Sequence, residues 1–173
     1  EPWERAQAGL FLALQQPTEV PGVSLAAVAT EAARAAGRSI DTVPAVLAAE
    51  AQRIGVEPRF LDRSLNVDLS GGEKKRNEIL QLSVLAPRYA VLDEIDSGLD
   101  IDALRSVSAS IKEITTPKTA TILVTHYERL LTYITPNQVH ILIDGRIVAS
   151  GGKELAGEIE ARGYDWLAES QSA

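Results

Sequence analysis

The chain has 173 residues, of which 45% are hydrophobic and 24% are charged. These proportions are typical of a globular domain and exclude a disordered segment. Acidic residues number 24 against 17 Lys and Arg residues, giving a formal net charge of −7, which disfavours binding to nucleic acid or to anionic membrane surfaces. The chain contains no cysteine, so it forms no disulfide and supplies no ligands of its own to an iron–sulfur cluster.

Two further features of the composition concern where the protein works and how much of it the chain represents. No apolar run approaches the roughly 18 to 20 residues that span a bilayer, and no signal segment opens the chain, so we expect a cytoplasmic protein without membrane insertion. The chain contains no methionine. Because a translation product normally begins with one, we expect a fragment whose missing part lies upstream of Glu1.

The chain opens with a predicted strand. The first fifteen residues end in the apolar run 10–14, which is followed by the polar turn 15–17. A strand that ends at a glutamine, Gln15, predicts the edge of an active site.

Residues 24–86 have a predominantly helical pattern. Ser24 is predicted to cap a helix that continues to Ala36, and Asp41 is predicted to cap a second helix that reaches Ile54. The segment therefore predicts a helical insert.

A third predicted helix begins at Gly71-Gly72 and ends before Pro87. A short apolar strand at 89–92, a helix at 100–114 and a β-branched strand at 119–125 follow. This order predicts a βαβ unit with parallel strands.

The last part of the chain predicts a hairpin and a helix. Strands at 139–143 and 146–149 flank Asp144-Gly145, a strong signal for a two-residue turn. A helix at 154–161 and an aromatic tail at 163–167 should follow.

The start of the third helix carries the run Leu69-Ser70-Gly71-Gly72-Glu73. Glycines leave backbone N–H groups unobstructed at a helix N-terminus, where the helix dipole favours an anion. Ser70, through its hydroxyl, and Gly72, through its amide, are therefore candidates for contacting a phosphate. A plain capped helix is the alternative that these residues alone leave open. The following Lys74 and Lys75 are expected to lie on a solvated helix face.

Two acids, Asp93 and Glu94, follow the strand at 89–92. The strand period of two would place their side chains on opposite sides. In a phosphoryl-transfer site the first acid holds Mg²⁺ and the second orients or deprotonates the attacking water. Acids after a buried strand are also common helix caps, so this pattern alone leaves both roles open.

A histidine, His126, follows the strand at 119–125. If this strand neighbours the strand at 89–92, His126 lies at the same sheet edge as Glu94. A histidine there can donate a hydrogen bond to a γ-phosphate and hold the attacking water against it.

Taken together, five motifs resemble those of ATP-binding-cassette (ABC) ATPases and occur in the same order. They are the Q-loop at Gln15, the signature at 69–73, Walker B at Asp93-Glu94, the D-loop at 97–100 and the H-loop at His126. The resemblance implies three sets of site residues: catalytic Glu94, His126 and Gln15; nucleotide-binding Ser70, Gly71, Gly72, Glu73 and Asp100; and Mg²⁺-binding Asp93 and Gln15.

The residues within and around these motifs more specifically resemble those of SufC, the ATPase family of the SUF system for iron–sulfur cluster assembly. The segments that carry this resemblance are 15–23, 71–81, 93–104, 125–127 and 163–167. Transporter cassettes usually have glutamine at position 73, where this chain has Glu73. The resemblance covers nearly the whole chain.

The resemblance implies an α/β fold: a P-loop NTPase-like ABC ATPase domain that lacks its N-terminal strands and Walker A loop and carries a helical subdomain insert. It divides the chain into 1–23 (core strand and Q-loop), 24–86 (helical subdomain with the signature) and 87–173 (core with Walker B, D-loop, H-loop and tail). It further implies ATP and Mg²⁺ as ligands, an ATP-dependent homodimer bridged by Asp100, and SufB- and SufD-like scaffold partners.

One motif of these ATPases is absent, the phosphate-cradling loop G-x-x-x-x-G-K-[ST]. The nearest match, Gly151-Gly152-Lys153, fails because Ile147 precedes Gly152 by five positions and Glu154 replaces the magnesium-binding hydroxyl. We therefore expect this chain alone to be inactive. Two alternatives to iron–sulfur assembly remain: the ATP-binding cassette of an ABC transporter, coupled to a membrane permease, and a catalytically silent docking module.

Overall fold

The computed structural model describes residues 1–125, 129–164 and 166. The chain divides into two compact units, residues 1–126 and residues 127–173. In the first unit the elements are α1 (Pro2–Gln7), β1 (Leu10–Ala13), β2 (Val20–Ser24), α2 (Leu25–Ala35), α3 (Val43–Ile54), a 3-10 turn (Pro58–Phe60), β3 (Ser64–Leu65), α4 (Gly71–Leu85), β4 (Tyr89–Asp93), α5 (Ile101–Ile114) and β5 (Ala120–Val124). In the second they are α6 (Arg129–Tyr133), β6 (Val139–Ile143), β7 (Arg146–Gly151) and α7 (Glu154–Arg162).

The first unit is built on a three-stranded parallel sheet in the order β1-β4-β5. The register pairs Ala13 of β1 with Leu92 of β4, and Asp93 of β4 with Val124 of β5. Helix α5 connects β4 to β5, so the predicted βαβ unit is confirmed. Since all three strands run in the same direction, their carboxyl ends lie side by side at one edge of the sheet.

Three helices, α2, α3 and α4, pack against one another beside this sheet and supply much of the core. The fully buried large side chains of the first unit are Leu25, Ile79, Leu80, Leu82, Leu92, Ile95, Val107 and Ile111. The predicted helical insert is thus largely confirmed. Its first helix begins as expected, because the Ser24 hydroxyl accepts a hydrogen bond from the Ala27 amide at 3.1 Å.

The start of the second helix was predicted wrongly. Helix α3 begins at Val43, its N-cap is Thr42, and no side chain caps it. Pro44 lies in the first turn, where its fixed φ favours a helix start. Asp41 instead interacts locally with Ser39, whose hydroxyl accepts a hydrogen bond from the Asp41 amide at 3.3 Å.

A short helix and a pair of short strands in the first unit have no counterpart in the sequence prediction. Helix α1 precedes the first strand and begins with a capping box between Glu1 and Glu4, so the strand itself is confined to Leu10–Ala13. Strand β2 lies just before the segment predicted as helical and forms a short antiparallel pair with β3, which lies within that segment. Pro21 and Gly22 of β2 are typical of a loop, and β3 has only two residues, so the sequence does not indicate either strand.

The second unit contains the predicted hairpin and helix. Strands β6 and β7 are antiparallel, and the turn residues Asp144 and Gly145 have φ values of 48° and 76°. Positive φ at both turn positions is the requirement of a type I′ turn, which Asp-Gly satisfies. After α7, the Trp166 indole donates a hydrogen bond to the Gly163 carbonyl at 2.9 Å.

None of the helices in the described ranges is both long enough and apolar enough to cross a membrane.

Candidate active site

The Q-loop glutamine meets the second Walker B acid at the carboxyl edge of the sheet. Gln15 follows β1 and Glu94 follows β4, and the register of these neighbouring strands brings the two residues to the same edge. The Gln15 Nε2 donates a hydrogen bond of 2.7 Å to the Glu94 Oε2, although the residues are 79 positions apart in the chain. The sequence predicted both residues as site residues, and the structure brings them together.

Glu94 has a left-handed backbone conformation, with φ at 46°. Such a conformation costs a non-glycine residue about 1 kcal/mol or more, and it is held here by surrounding contacts. The Glu94 amide donates to the Val124 carbonyl of β5 at 2.8 Å. Strand β4 ends at Asp93, so the period of two used to separate the two acids does not extend to Glu94, and that argument was wrong.

Asp93 is the last residue of β4 and is partly exposed at this edge. Its carboxylate and the amide oxygen of Gln15 are hard oxygen donors of the kind that Mg²⁺ prefers. In the described part of the chain, no group of three or more His, Cys, Asp or Glu residues is placed to hold a metal by itself. A magnesium ion that arrives with a nucleotide needs only one or two protein ligands, because phosphate and water complete its shell. The donor set therefore fits Mg²⁺ bound with ATP.

The residue before the D-loop, Asp96, is bound by the residue that follows β5. The Thr125 hydroxyl donates to the buried Asp96 carboxylate at 2.9 Å. Asp100 caps α5, since its Oδ1 accepts from the Ala103 amide at 2.7 Å. The bridging role of Asp100 in a homodimer stays a prediction. The predicted H-loop histidine, His126, lies outside the described residues.

The signature forms the N-terminus of α4 and is closed by a reciprocal capping box. The Ser70 hydroxyl accepts from the Glu73 amide at 3.4 Å, and the Glu73 carboxylate accepts from both the Ser70 amide at 2.8 Å and the Ser70 hydroxyl at 2.6 Å. The plain capped helix that the sequence left open is therefore present. A phosphate contact by Ser70 would require its hydroxyl to turn from Glu73.

No steric constraint from the described part of the chain requires glycine at the two signature positions, 71 and 72. A Cβ added at Gly71 would meet nothing within 4 Å, and one added at Gly72 would meet only the Leu99 Cδ2 at 4.0 Å. Neither glycine has a positive φ. Glycine lowers helix stability relative to alanine, so two of them beside open space fit a close approach by a group that is not part of this chain.

The carboxyl group of Glu73, which caps α4, is expected to make the stability of the fold depend on pH. The hydrogen bonds from Ser70, chiefly its hydroxyl and then its amide, lower the pKa of Glu73 below its ordinary 4.5, and Arg59 and Arg76 contribute to the same direction. A carboxyl whose pKa is lowered in the folded state stabilises the protein above its ordinary pKa and loses this effect as the pH falls. Glu73→Gln, which keeps a capping oxygen, should lower the free energy of unfolding at pH 7. Urea titrations should show this difference shrinking as the pH falls below 4.5; a difference constant with pH would contradict the assignment.

The helix that carries the signature also holds the Q-loop. Lys75 and Glu78 are buried, with 3% and 6% of their surfaces exposed. The Lys75 ammonium donates to the Leu14 carbonyl at 2.8 Å, and the Leu14 amide donates to the Glu78 Oε1 at 3.0 Å. The expectation that Lys75 lies on a solvated face was wrong, because its charge is neutralised by Glu78 and bound by the main chain. Lys74 keeps partial exposure and pairs with Glu19 at 2.6 Å.

A second buried contact continues this attachment. The Asn77 amide on α4 donates to the Asn66 Oδ1 at 3.4 Å, and the Asn66 amide donates to the Thr18 carbonyl at 2.9 Å. Sequence reasoning missed Asn66, Asn77 and Glu78. The available signal for Asn77 and Glu78 was their position directly before Ile79 and Leu80, which lie in the core.

Comparisons with curated proteins give relatives of high identity over nearly the full length of the chain. It is 51% identical to a protein of Synechocystis named "Probable ATP-dependent transporter", over 98% of the chain and 69% of that protein. It is 49% identical to "Vegetative protein 296" of Bacillus subtilis, over 95% of the chain and 65% of that protein. A Streptococcus pyogenes protein named "Probable ABC transporter ATP-binding protein" is 47% identical over 96% of the chain and 67% of its own length. No protein-family model matches the chain.

Comparisons with solved structures give the same fold at low identity. The "ATP binding subunit of ABC transporter" matches with a TM-score of 0.75 and 22% identity, covering 96% of this chain and 69% of the other. A structure described as a dimeric bacterial ABC transporter cassette matches with a TM-score of 0.71 and 17% identity, covering 85% and 64%. The α/β fold predicted from the sequence is confirmed as that of an ABC cassette.

Proposed function

The chain belongs to the family of ABC-type ATPases, and from this premise we propose that it binds ATP with Mg²⁺ and serves its hydrolysis at the sheet edge where Gln15 meets Glu94. The observation that carries the proposal is the 2.7 Å hydrogen bond between these side chains. This bond joins two residues that were predicted as site residues from two different motifs, the Q-loop and Walker B. The chain spans about two thirds of its relatives' length, at 69% and 65% for the first two, so the activity is proposed for the full-length gene product.

The proposal assigns a role in ATP hydrolysis to each of the predicted residues at this edge. Asp93 and Gln15 would hold a magnesium ion that arrives with the nucleotide, and this ion would neutralise charge on the transferred phosphoryl group. Glu94 accepts a hydrogen bond from the attacking water and orients it, and His126 donates to the γ-phosphate. Gln15 contacts Glu94 directly, so any shift of the Q-loop changes the position of the catalytic carboxylate.

The signature is proposed to act on a nucleotide held by a second copy of the protein. Gly71, Gly72 and the helix dipole of α4 offer N–H groups to an anion beside open space, and Glu73 and Ser70 stabilise this helix start. A similar fold occurs in a cassette described as dimeric. We therefore expect an ATP-dependent homodimer with Asp100 near its interface.

Two partner classes fit this ATPase, and the relatives' names favour the transporter alternative over iron–sulfur assembly. A relative in Synechocystis is called an ATP-dependent transporter and one in Streptococcus an ABC transporter ATP-binding protein. On that basis the helical segment would bind a membrane permease. The second candidate couples hydrolysis to iron–sulfur cluster assembly on SufB- and SufD-like scaffolds. This second candidate is supported by the SufC-like sequence of residues 71–81, which includes Glu73 at a position where transporter cassettes usually have glutamine.

Co-purification separates the two candidates. The tagged full-length gene product would be isolated from its source cells after mild detergent extraction, and its partners identified by mass spectrometry. A stoichiometric membrane-spanning partner supports the transporter cassette, and stoichiometric scaffold proteins support iron–sulfur assembly. ATP turnover by the purified complex tests the shared proposal. No turnover with either partner would favour the silent docking module.

A further inference from the structure

The main chain of one residue, Leu14, is held on both of its polar groups by two charged side chains of α4. Lys75 donates to its carbonyl at 2.8 Å and Glu78 accepts from its amide at 3.0 Å. The Lys75 Nζ and the Glu78 Oε2 are 3.6 Å apart, so the two charges also face each other. Leu14 immediately precedes Gln15 in the chain. We refer to Lys75 and Glu78 as the Leu14 clamp.

Folding stability alone does not account for the clamp. Burial raises the pKa of Glu78, although Lys75 and the Leu14 amide oppose this rise. A carboxyl whose pKa is raised in the folded state contributes unfavourably to stability at pH values above the raised pKa. Replacing a buried ion pair by apolar residues of similar size is often neutral or stabilising. An apolar pair at these positions would therefore serve the core as well, but it would leave the Leu14 main chain unbound.

The clamp is one of three contacts by which α4 holds the Q-loop segment. The clamp binds Leu14, the Asn77–Asn66 pair binds the Thr18 carbonyl, and Lys74 pairs with Glu19. All three originate from α4, the helix whose first turn is the signature. Residues 14–19 are therefore attached to α4 at both of their ends.

We propose that Glu78 is a positioning residue: together with Lys75 it fixes the Leu14 main chain so that the Gln15 side chain reaches Glu94. A displacement of α4, such as a ligand at its signature would produce, then changes the Gln15–Glu94 contact through the clamp. The inference rests on the proposed function and adds to it the residue pair that connects the signature helix to the catalytic edge.

The test uses the full-length gene product with two variants of Glu78 and one control. Glu78→Ala removes the acceptor for the Leu14 amide, whereas Glu78→Gln keeps an oxygen acceptor at the same place. Gln81→Ala is the matched control, because Gln81 lies one turn further along α4 and its side chain donates to the Asn77 carbonyl of its own helix at 3.3 Å. ATP turnover would be measured for each variant alone and in combination with Gln15→Ala.

Glu78→Ala should lower kcat at least roughly tenfold and change the KM for ATP less than about twofold, since misplacement of a positioning group acts on the chemical step. Glu78→Gln should restore most of the lost kcat, and Gln81→Ala should equal the wild type. In the Gln15→Ala background, Glu78→Ala should cause no further loss, because Glu78 acts through Gln15. Wild-type kcat in Glu78→Ala, or independent losses that multiply in the double variant, would overturn the proposal.

Two additions keep the test decisive. If Glu78→Ala does not fold, Lys75→Met combined with Glu78→Leu removes both charges and should fold with wild-type stability but retain the loss of kcat; wild-type kcat in this double variant would overturn the proposal. Hydrogen exchange of the Leu14 amide gives a readout without ATP: it should be faster in Glu78→Ala than in Glu78→Gln, and equal rates would overturn the clamp. A wild-type protein without ATP turnover would instead refute the proposed function, while the exchange rates would still decide the clamp.

Discussion

Glu94→Gln in the full-length gene product is expected to retain ATP while slowing its hydrolysis by roughly 10²- to 10⁴-fold. Glutamine has the size of glutamate and keeps an oxygen that can accept the hydrogen bond from Gln15, which measures 2.7 Å in the wild type. It cannot accept a proton from water or attract one as a carboxylate does. The substitution therefore removes the base and leaves the contact in place.

Single-turnover hydrolysis and equilibrium nucleotide binding measure the two quantities separately for Glu94→Gln. Asp102→Asn is the matched control, since it also converts a carboxylate to an amide; Asp102 lies in the next helix with 94% of its side chain exposed. That control should bind and hydrolyse ATP as the wild type does. Wild-type turnover by Glu94→Gln would exclude Glu94 from the mechanism.

Gly72→Asp is expected to stabilise the fold and, in the same variant, to lower ATP hydrolysis strongly. An acid in the first turn of α4 interacts favourably with the helix dipole, and loss of a glycine favours the helix further, for a gain of about 1 kcal/mol. The same carboxylate would lie in the open space before the signature. Against a phosphate charge about 4 Å away it would be repelled by about 4 kcal/mol near a protein surface. Hydrolysis should fall on the order of 10²-fold or more.

Chemical denaturation measures the expected gain in stability of Gly72→Asp, and ATP turnover measures the expected loss of hydrolysis. Gly157→Ala serves as the control: Gly157 lies within helix α7, and a Cβ added there meets no described residue within 4 Å. It should stabilise the protein by about 0.5–1 kcal/mol and leave hydrolysis unchanged. Gly72→Asp with normal hydrolysis would show that no anion approaches the signature.

The elements that the sequence predicted well are those whose signals are local. Helix α4 begins at a serine followed by two glycines and a capping glutamate, and it ends before a proline. Strand β4 is a short apolar run, and the Asp144-Gly145 turn fixes the hairpin by its backbone requirements alone. Each of these signals lies within a few residues of the element that it specifies. The sequence also predicted that Gln15 lies at the edge of an active site, but its meeting with Glu94 was found only in the structure.

The interactions that the sequence did not predict depend on residues far apart in the chain. Lys75 looks like a surface lysine in a basic run, and only its contact with Leu14, 61 positions away, explains its burial. The conformation of Glu94 likewise depends on Val124 of the neighbouring strand. At α3 two adjacent residues competed for the cap, and the position of Pro44 decided against Asp41.

The parallel pairing of β1 with β4 joins segments that the ribosome makes at different times. The residues that this pairing brings together, Gln15 and Glu94, are 79 positions apart. At about 5–20 residues per second, the ribosome completes the second of them roughly 4 to 16 seconds after the first. During that interval α2, α3 and α4 are translated and can form their local contacts, while β4, the strand that pairs with β1, is still incomplete. The contact between Gln15 and Glu94 can therefore form only after the helices that lie between them in the sequence have been synthesised.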